Sequence, residues 1–358
     1  MRLRTRTPEQ AQPYRGAVTD TDPAADPVAA LRRIAFLLER DRAETYRVQA
    51  FRRAAAVLAA LPADELQRRI TARTLTDLNG VGRTTAEVVT QAAQGRVPDY
   101  LVELEERPEP DVGAASALVA SLRGDLHVHS DWSDGGSPIE EMARTAAELG
   151  HEYVALTDHS ARLTVARGLS RERRLEQLDV VDAINAELAP FRILTGIEVD
   201  ILDDGSLDCD DDVLARLDVV VASVHSKLRM PSHEMTPRML AAVANPHTDI
   251  LGHCTGRMVV GRGRPESTFD SAAVFTACTA AGVAVEVNSR PERLDPPRRL
   301  LAEAVAAGCL FSIDTDAHAP GQLAWLPYGA SRAVECGVVA ERVVNTWSAD
   351  ELLAWTAS

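Results

Sequence analysis

The order of apolar and polar positions divides the chain in two. Residues 1–23 are polar and contain Pro8, Pro13 and Pro23, so they read as a disordered arm. From Asp26 the apolar positions recur with a helical period. Val28, Leu31, Ile34, Ala35 and Leu38 form one stripe, and Val48, Phe51, Ala55, Leu58 and Leu61 form a second. A third short helix is expected over 63–70, followed by "LTDLNGVGRTTAEVVTQAAQG". Nothing before residue 107 alternates as a strand would. Residues 24–106 therefore predict a small all-α domain.

"ERPEPDVGAAS" (106–116) has the composition of a linker, and residues 107–123 are assigned to one. Beyond it, short apolar runs alternate with helical stretches. Strands are predicted at 125–129, 153–157, 192–198, 218–224, 249–252, 283–287 and 310–314, and helices at 138–149, 171–188, 269–281 and 298–307, among others. Repeated βα units imply a parallel sheet, and seven of them suggest a closed or nearly closed barrel over 124–358. In such barrels chemistry sits at the C-terminal ends of the strands.

Charge changes the picture only when it is split between these parts. The whole chain has a net charge of −15. Residues 1–107 carry 17 Arg against 15 Asp and Glu, whereas 108–358 carry 21 Lys and Arg against 38 Asp and Glu. Lys227 is the single lysine. A G-x-x-x-x-G-K-[ST] phosphate loop is thus excluded, as is a lysine Schiff base in the first 226 residues. The five cysteines (Cys209, Cys254, Cys278, Cys309, Cys336) form no C-x-x-C pair, which suits a reduced chain. The start of the chain lacks the apolar segment of a secretory signal, and no apolar run approaches the ~20 residues that span a bilayer. The cytoplasm is the expected location. No membrane association and no protein partner are predicted.

Candidate chemistry begins with "DLHVHSDWSDG" (125–135). Strand alternation would point Asp125, His127 and His129 one way and Leu126 and Val128 the other. Hydrogen-bonded polar residues at a barrel rim would produce the same pattern. The other strand ends weigh against that reading. They carry Asp158 and His159, Glu198, His225, His253, and Asp316 with His318. Six of seven strand ends thus bear His, Asp or Glu. Nitrogen and oxygen donors without sulfur suit Zn, Mn or Fe, and so many donors suit more than one ion. His151, His233 and His247 read as surface or hydrogen-bonded residues, and Asp131 as solvent-facing.

"DLHVHSDWSDG", "ALTDHS", "GIEVDILDDGSLD", "ASVHS", "ILGHCTGR" and "DTDAH" together resemble the successive motifs of a PHP domain, the polymerase and histidinol phosphatase superfamily. The resemblance implies a distorted (β/α)7 barrel holding three divalent metal ions, Mn2+ or Zn2+ with Fe2+ as a further option. It implies one ion on His127, His129, Glu198 and Asp316. A second would share Glu198 and take His225 and His253. A third would take Asp134, His159 and His318. Asp125 and Asp158 would then orient ligating imidazoles.

The longer strings around 196–226, "VEVNSRPERLD" and "DTDAH" resemble the PHP domain of bacterial family X DNA polymerases. "DLNGVGRTTAEVV" has the glycine pattern of a helix–hairpin–helix, whose backbone N–H groups bind phosphate without sequence preference. Gly80, Gly82, Arg83, Arg47, Arg52 and Arg53 are candidate DNA contacts, although a glycine turn and a solvated arginine face would look alike. A polymerase palm is missing, because only 107–123 separates the two domains. The D-x-D pairs Asp208/Asp210 and Asp314/Asp316 belong to a barrel loop and to the PHP motif.

The expectation is a metal-dependent phosphoesterase acting on DNA, a 3′→5′ exonuclease with single strands or 3′ ends as substrate and a role in repair. Arg257 is the first candidate for a substrate phosphate contact, followed by Arg290 and Arg293. The alternatives are a phosphomonoesterase of a small metabolite, like histidinol phosphatase, and a non-catalytic DNA-tethering module.

Overall fold

The computed structural model describes residues 26–358; the arm expected over 1–23 lies outside them. Among the described residues, five α-helices and a short 3-10 turn (Leu75–Asp77) build the first domain: α1 (Pro27–Arg40), α2 (Thr45–Ala59), α3 (Ala63–Ala72), α4 (Arg83–Ala93) and α5 (Asp99–Glu105). The start of α1 is fixed locally. Asp26 accepts a hydrogen bond from the Val28 N–H at 2.8 Å, and Pro27 occupies the first turn, where its missing N–H is not needed. The helical stripes meet in one core containing Leu31, Ile34, Leu38, Phe51, Leu58, Val88 and Leu101.

The segment read as a linker is partly ordered. A 3-10 turn (Gly113–Ala115) leads into α6 (Ser116–Ser121), and Leu118 and Val119 join the barrel's outer core. The polar composition of 106–112 masked the apolar pair that follows it.

The second domain is a seven-stranded parallel barrel: β1 (Gly124–Val128), α7 (Ile139–Glu148), β2 (Tyr153–Leu156), α8 (Arg171–Leu188), β3 (Arg192–Asp200), α9 (Asp211–Leu214), β4 (Val219–Ser223), α10 (Ser232–Val243), β5 (Ile250–Leu251), α11 (Ser271–Ala281), β6 (Ala284–Asn288), α12 (Arg298–Ala307) and β7 (Leu310–Asp314). Helices α13 (Leu326–Glu335) and α14 (Ala349–Thr356) follow. The strands are hydrogen-bonded in sequence order, β1 to β7.

Closure between β7 and β1 relies on few backbone contacts and more side-chain ones. The His129 N–H donates to the Ala317 carbonyl at 2.8 Å. Lower in the seam, the buried Asn345 amide donates to the carbonyls of Gly124 and Ile313 and to the Asp314 carboxylate, while its Oδ1 accepts from the Ile313 N–H. One asparagine thus satisfies groups that a regular ladder would pair.

The barrel's lower interior is apolar. Leu126, Tyr153, Ala155, Leu194, Val219, Val221, Ile250 and Ala284 cluster there, and Trp347, Leu352 and Trp355 close it from below. Strand β1 does not alternate as predicted. Its register with β2 shifts between Asp125 and Val128. Leu126 joins the interior cluster, Val128 packs outward against Ile139 and Met142 of α7, and His127 also faces inward. A bulge that turns two consecutive side chains inward accounts for this. Among the described residues, no helix is long and apolar enough to cross a membrane.

Candidate metal centre

Above the apolar floor, one buried carboxylate is ringed by five imidazoles. Glu198, at the end of β3, places Oε1 2.8 Å from His253 Nε2 and 3.1 Å from His225 Nε2. Its Oε2 lies 2.9 Å from His159 Nδ1, 3.3 Å from His127 Nε2 and 3.5 Å from His129 Nε2. Asp316 Oδ1 is 3.5 Å from both His129 Nε2 and His318 Nδ1. Asp134 Oδ1 is 3.3 Å from His318 Nε2 and 3.4 Å from His159 Nε2. All nine residues expected as ligands therefore converge.

Three overlapping sets have the spacing to hold an ion: His127, His129 and Glu198; His159, Glu198 and His225; and His129, Asp134, His159 and His318. The sharing differs from the division implied by the resemblance, since His129 and His159 each stand in two sets.

The donor atoms fit metal ions. Both Glu198 oxygens, both ring nitrogens of His129, His225 and His253, Nε2 of His127 and Nδ1 of His159 are buried without a hydrogen-bond partner. Buried polar atoms are almost always satisfied, so a convergent set of unsatisfied ones calls for a missing partner. A cation is the partner that nitrogen lone pairs and carboxylates share. The electrostatics divides the cluster: burial pushes His127 and His159 down, but Glu198 outweighs it and holds both imidazoles above their usual range. Burial pushes the Glu198 carboxyl up, but His225, His127 and His159 hold it well below the usual carboxylate range. Burial also opposes ionisation of Asp316, and Arg293 and His129 outweigh it. Burial and the neighbouring His318 and His159 push His129 down to about 3.

The supporting residues are not those expected. Asp125 touches no imidazole. It accepts from the Thr315 hydroxyl at 2.5 Å and from the Thr315 and His127 N–H groups, so it ties β1 to β7. Asp158 accepts from the Ser130 and Ser133 hydroxyls and from Gln177, all at 2.6 Å, and so shapes the loop that carries Asp134. The imidazoles are met instead by two carboxylates not singled out in the sequence. Glu286 Oε1 is 2.7 Å from His127 Nδ1, and Asp200 Oδ1 is 3.4 Å from His225 Nδ1.

The three candidate arginines differ in their surroundings. Arg257 donates to the carbonyls of Arg293 and Leu294, so it shapes a loop instead of facing the cluster. Arg293 Nε pairs with Asp316 Oδ2 at 2.9 Å, and an Arg290 nitrogen lies 3.2 Å from His318 Nδ1. His151 is buried, with neither ring nitrogen bonded, against the expectation of a surface or bonded residue. His233 is exposed.

In the helical domain, Gly80 adopts φ +98°, a backbone angle that favours glycine, and it lies against the Arg53 side-chain stem. Gly82 precedes α4 and donates its N–H to Thr85 Oγ1 at 2.9 Å. Arg53 and Arg83 are exposed beside this hairpin. Arg47 is half-buried and donates to the Tyr100 hydroxyl at 2.5 Å. Arg52 is not available to a phosphate. It makes a paired bond to Glu39 at 2.8 and 2.7 Å and also reaches Glu141 of the barrel.

Comparison with known proteins agrees with this architecture. The helix-hairpin-helix domain family matches residues 22–96, and the PHP domain family matches residues 125–290. The DNA polymerase/3′-5′ exonuclease PolX of Bacillus subtilis is 41% identical over 237 residues, which are 66% of this chain and 41% of that protein. A probable phosphatase of Thermoanaerobacter sp. is 28% identical over 233 residues, 62% of this chain and 89% of that protein. The crystal structure of histidinol phosphate phosphatase from Lactococcus lactis, complexed with Zn, L-histidinol and phosphate, superposes with a TM-score of 0.43 at 17% identity, covering 61% of this chain and 94% of that one. Between the two matched domains, residues 107–123 leave no room for a nucleotidyl-transfer palm. This chain is a PHP-domain protein that carries a helix-hairpin-helix domain ahead of its barrel and resembles a bacterial family X DNA polymerase without the palm.

Proposed function

We propose that the chain is a metal-dependent phosphoesterase that hydrolyses phosphodiester bonds in DNA from the 3′ end, in the service of repair. The observation that carries the reading is the set of unsatisfied, buried His and Glu atoms around Glu198, on the same chain as a phosphate-binding type of hairpin. Three divalent ions, Mn2+ or Zn2+, would be held by His127, His129, Glu198 and Asp316, by Glu198, His225 and His253, and by Asp134, His159 and His318. Bound there, such ions supply an activated water and neutralise charge on a phosphoryl group.

The remaining steps belong to the chain itself. Glu286 holds His127 with Nε2 toward Glu198. Arg290, partly exposed beside His318, offers a guanidinium to phosphate oxygens entering the mouth. The exposed Arg53 and Arg83, with the free N–H groups at the start of α4, hold the strand by its phosphates.

A second reading, a small-metabolite phosphomonoesterase, draws support from the match that spans 89% of a probable phosphatase. One experiment separates the two. The protein is incubated with Mn2+ and either a 5′-labelled single-stranded oligonucleotide or histidinol phosphate. A ladder shortening from the 3′ end is expected. Phosphate release from histidinol phosphate with the oligonucleotide intact overturns the nuclease. No turnover of either, with no bound metal, leaves a DNA-tethering module.

A further inference from the structure

We propose that Glu39, in the helical domain, is a positioning residue for the outermost metal position in the barrel, the one formed by Asp134, His159 and His318. The inference rests on the metal reading above.

The three ligand sets differ in exposure. His127, His129, Glu198 and His253 are fully enclosed, whereas the side chains of Asp134 and His318 are 34% and 19% exposed. Those two residues sit on loops, after β1 and after β7. Their loops meet where the His129 N–H donates to the Ala317 carbonyl at 2.8 Å and the Gly136 N–H donates to the His318 carbonyl at 2.7 Å. Further support comes from the other domain.

The loop after β7 ends in a 3-10 turn, Pro320–Trp325, that lies against the last turn of α1. The Gly321 N–H donates to Glu39 Oε2 at 2.9 Å, and the Trp325 indole donates to the Arg40 carbonyl at 2.9 Å. Gln322, between them, accepts from the His318 N–H at 2.8 Å. The approach is as close as glycine allows, since a Cβ on Gly321 would lie 2.1 Å from the Phe36 carbonyl oxygen and 2.7 Å from Glu39 Cβ.

Glu39 is 6% exposed and is charge-balanced by Arg52 within its own domain. The second guanidinium branch of Arg52 pairs with Glu141, in the first turn of α7, which follows the Asp134 loop. The Arg52–Glu39 pair therefore braces the two loops that carry Asp134 and His318. Among the inner ligands, His127 and Glu198 lie within β1 and β3, and His129, His225, His253 and Asp316 stand within two residues of a strand end, closer to the sheet than Asp134 and His318. A strand held by the hairpin and the outermost ion would share one rigid support.

The test uses the full chain. Glu39→Ala removes the acceptor from one side, and Gly321→Ala forces the loop away from the other. Arg68→Ala, which breaks exposed pairs with Asp64 and Glu65 within α3, is the control. Bound Mn2+ per chain is measured by elemental analysis across a titration, with circular dichroism to confirm the fold. In wild type and control, three equivalents are expected. In Glu39→Ala and Gly321→Ala, one equivalent weakens on the order of 10–100-fold while two are unchanged. Adding His318→Ala to Glu39→Ala should cost no further equivalent. Three equal equivalents in the variants overturn the proposal, and so does a parallel weakening of all three. A wild type that binds no metal overturns the reading on which it rests.

Discussion

Glu286 Oε1 lies 2.7 Å from Nδ1 of His127, and its other oxygen accepts from the His253 N–H. A carboxylate on Nδ1 fixes the tautomer that presents the Nε2 lone pair toward Glu198 and raises its basicity as a ligand. Glu286→Gln keeps the shape and removes the charge. Its expected effect is a loss of metal affinity on the order of 10–100-fold, read by competition with a chromogenic chelator. Unchanged affinity would mean that Glu286 serves only the backbone.

The same residue shows what the sequence could and could not disclose. The nine converging donors were legible because a parallel barrel gathers its strand ends, and most of these donors stand at or just beyond an apolar run. Glu286 stands inside its run, in "AVEVN", so it read as an ordinary strand position. The cost of burying an isolated carboxylate between two valines was the available signal. Leu126 was placed on the wrong face because alternation assumes an unbroken ladder, and the register shift in β1 is invisible in one strand's sequence. Arg52 was misread because its partners are distant, Glu39 by 13 positions and Glu141 by 89.

Removal of metal should be felt by the fold. Both Glu198 oxygens and the imidazole nitrogens that face them have no hydrogen-bond partner, so chelation leaves them unsatisfied. Each ion at a hundred times its Kd is expected to add about 2.7 kcal/mol. Thermal melting with EDTA, then with excess Mn2+, should show a rise on addition that is smaller in His127→Ala. A melting temperature indifferent to both treatments would contradict the metal centre.

The arginines of the helical domain should separate into two behaviours. Arg53→Ala and Arg83→Ala are expected to weaken DNA binding and to lower the slope of log K against log salt by about 0.7 each for single strands. Arg52→Ala should leave that slope unchanged. It strands the buried Glu39 and is expected to lower stability by about 3 kcal/mol. Urea melts and salt-dependent binding isotherms on the same three variants check both halves.

Arg290 and Arg257 should part in a similar way. Arg290→Ala removes a cation beside His318 and is expected to lower turnover on the order of 100-fold with the melting temperature kept. Arg257→Ala frees the carbonyls of Arg293 and Leu294 and should lower the melting temperature. Steady-state assays with thermal melts distinguish them. The reverse pattern would restore Arg257 to the phosphate.

His151 offers a pH dependence far from the barrel mouth, at the turn between α7 and β2. Burial without a hydrogen-bond partner pushes its imidazole down to about 4, against about 6.5 when unfolded. Between these values the unfolded chain holds a proton that the folded chain does not. Stability from this residue is therefore complete above pH 6.5 and falls as the pH drops toward 4. The expected loss between pH 7.5 and pH 5 is about 2 kcal/mol. His151→Leu removes the titration, so the difference in stability between variant and wild type should grow by that amount over the same interval. Urea unfolding at the two pH values, with metal chelated throughout, measures it. A difference that does not change with pH would show that the His151 ring is already protonated, or hydrated, in the folded chain.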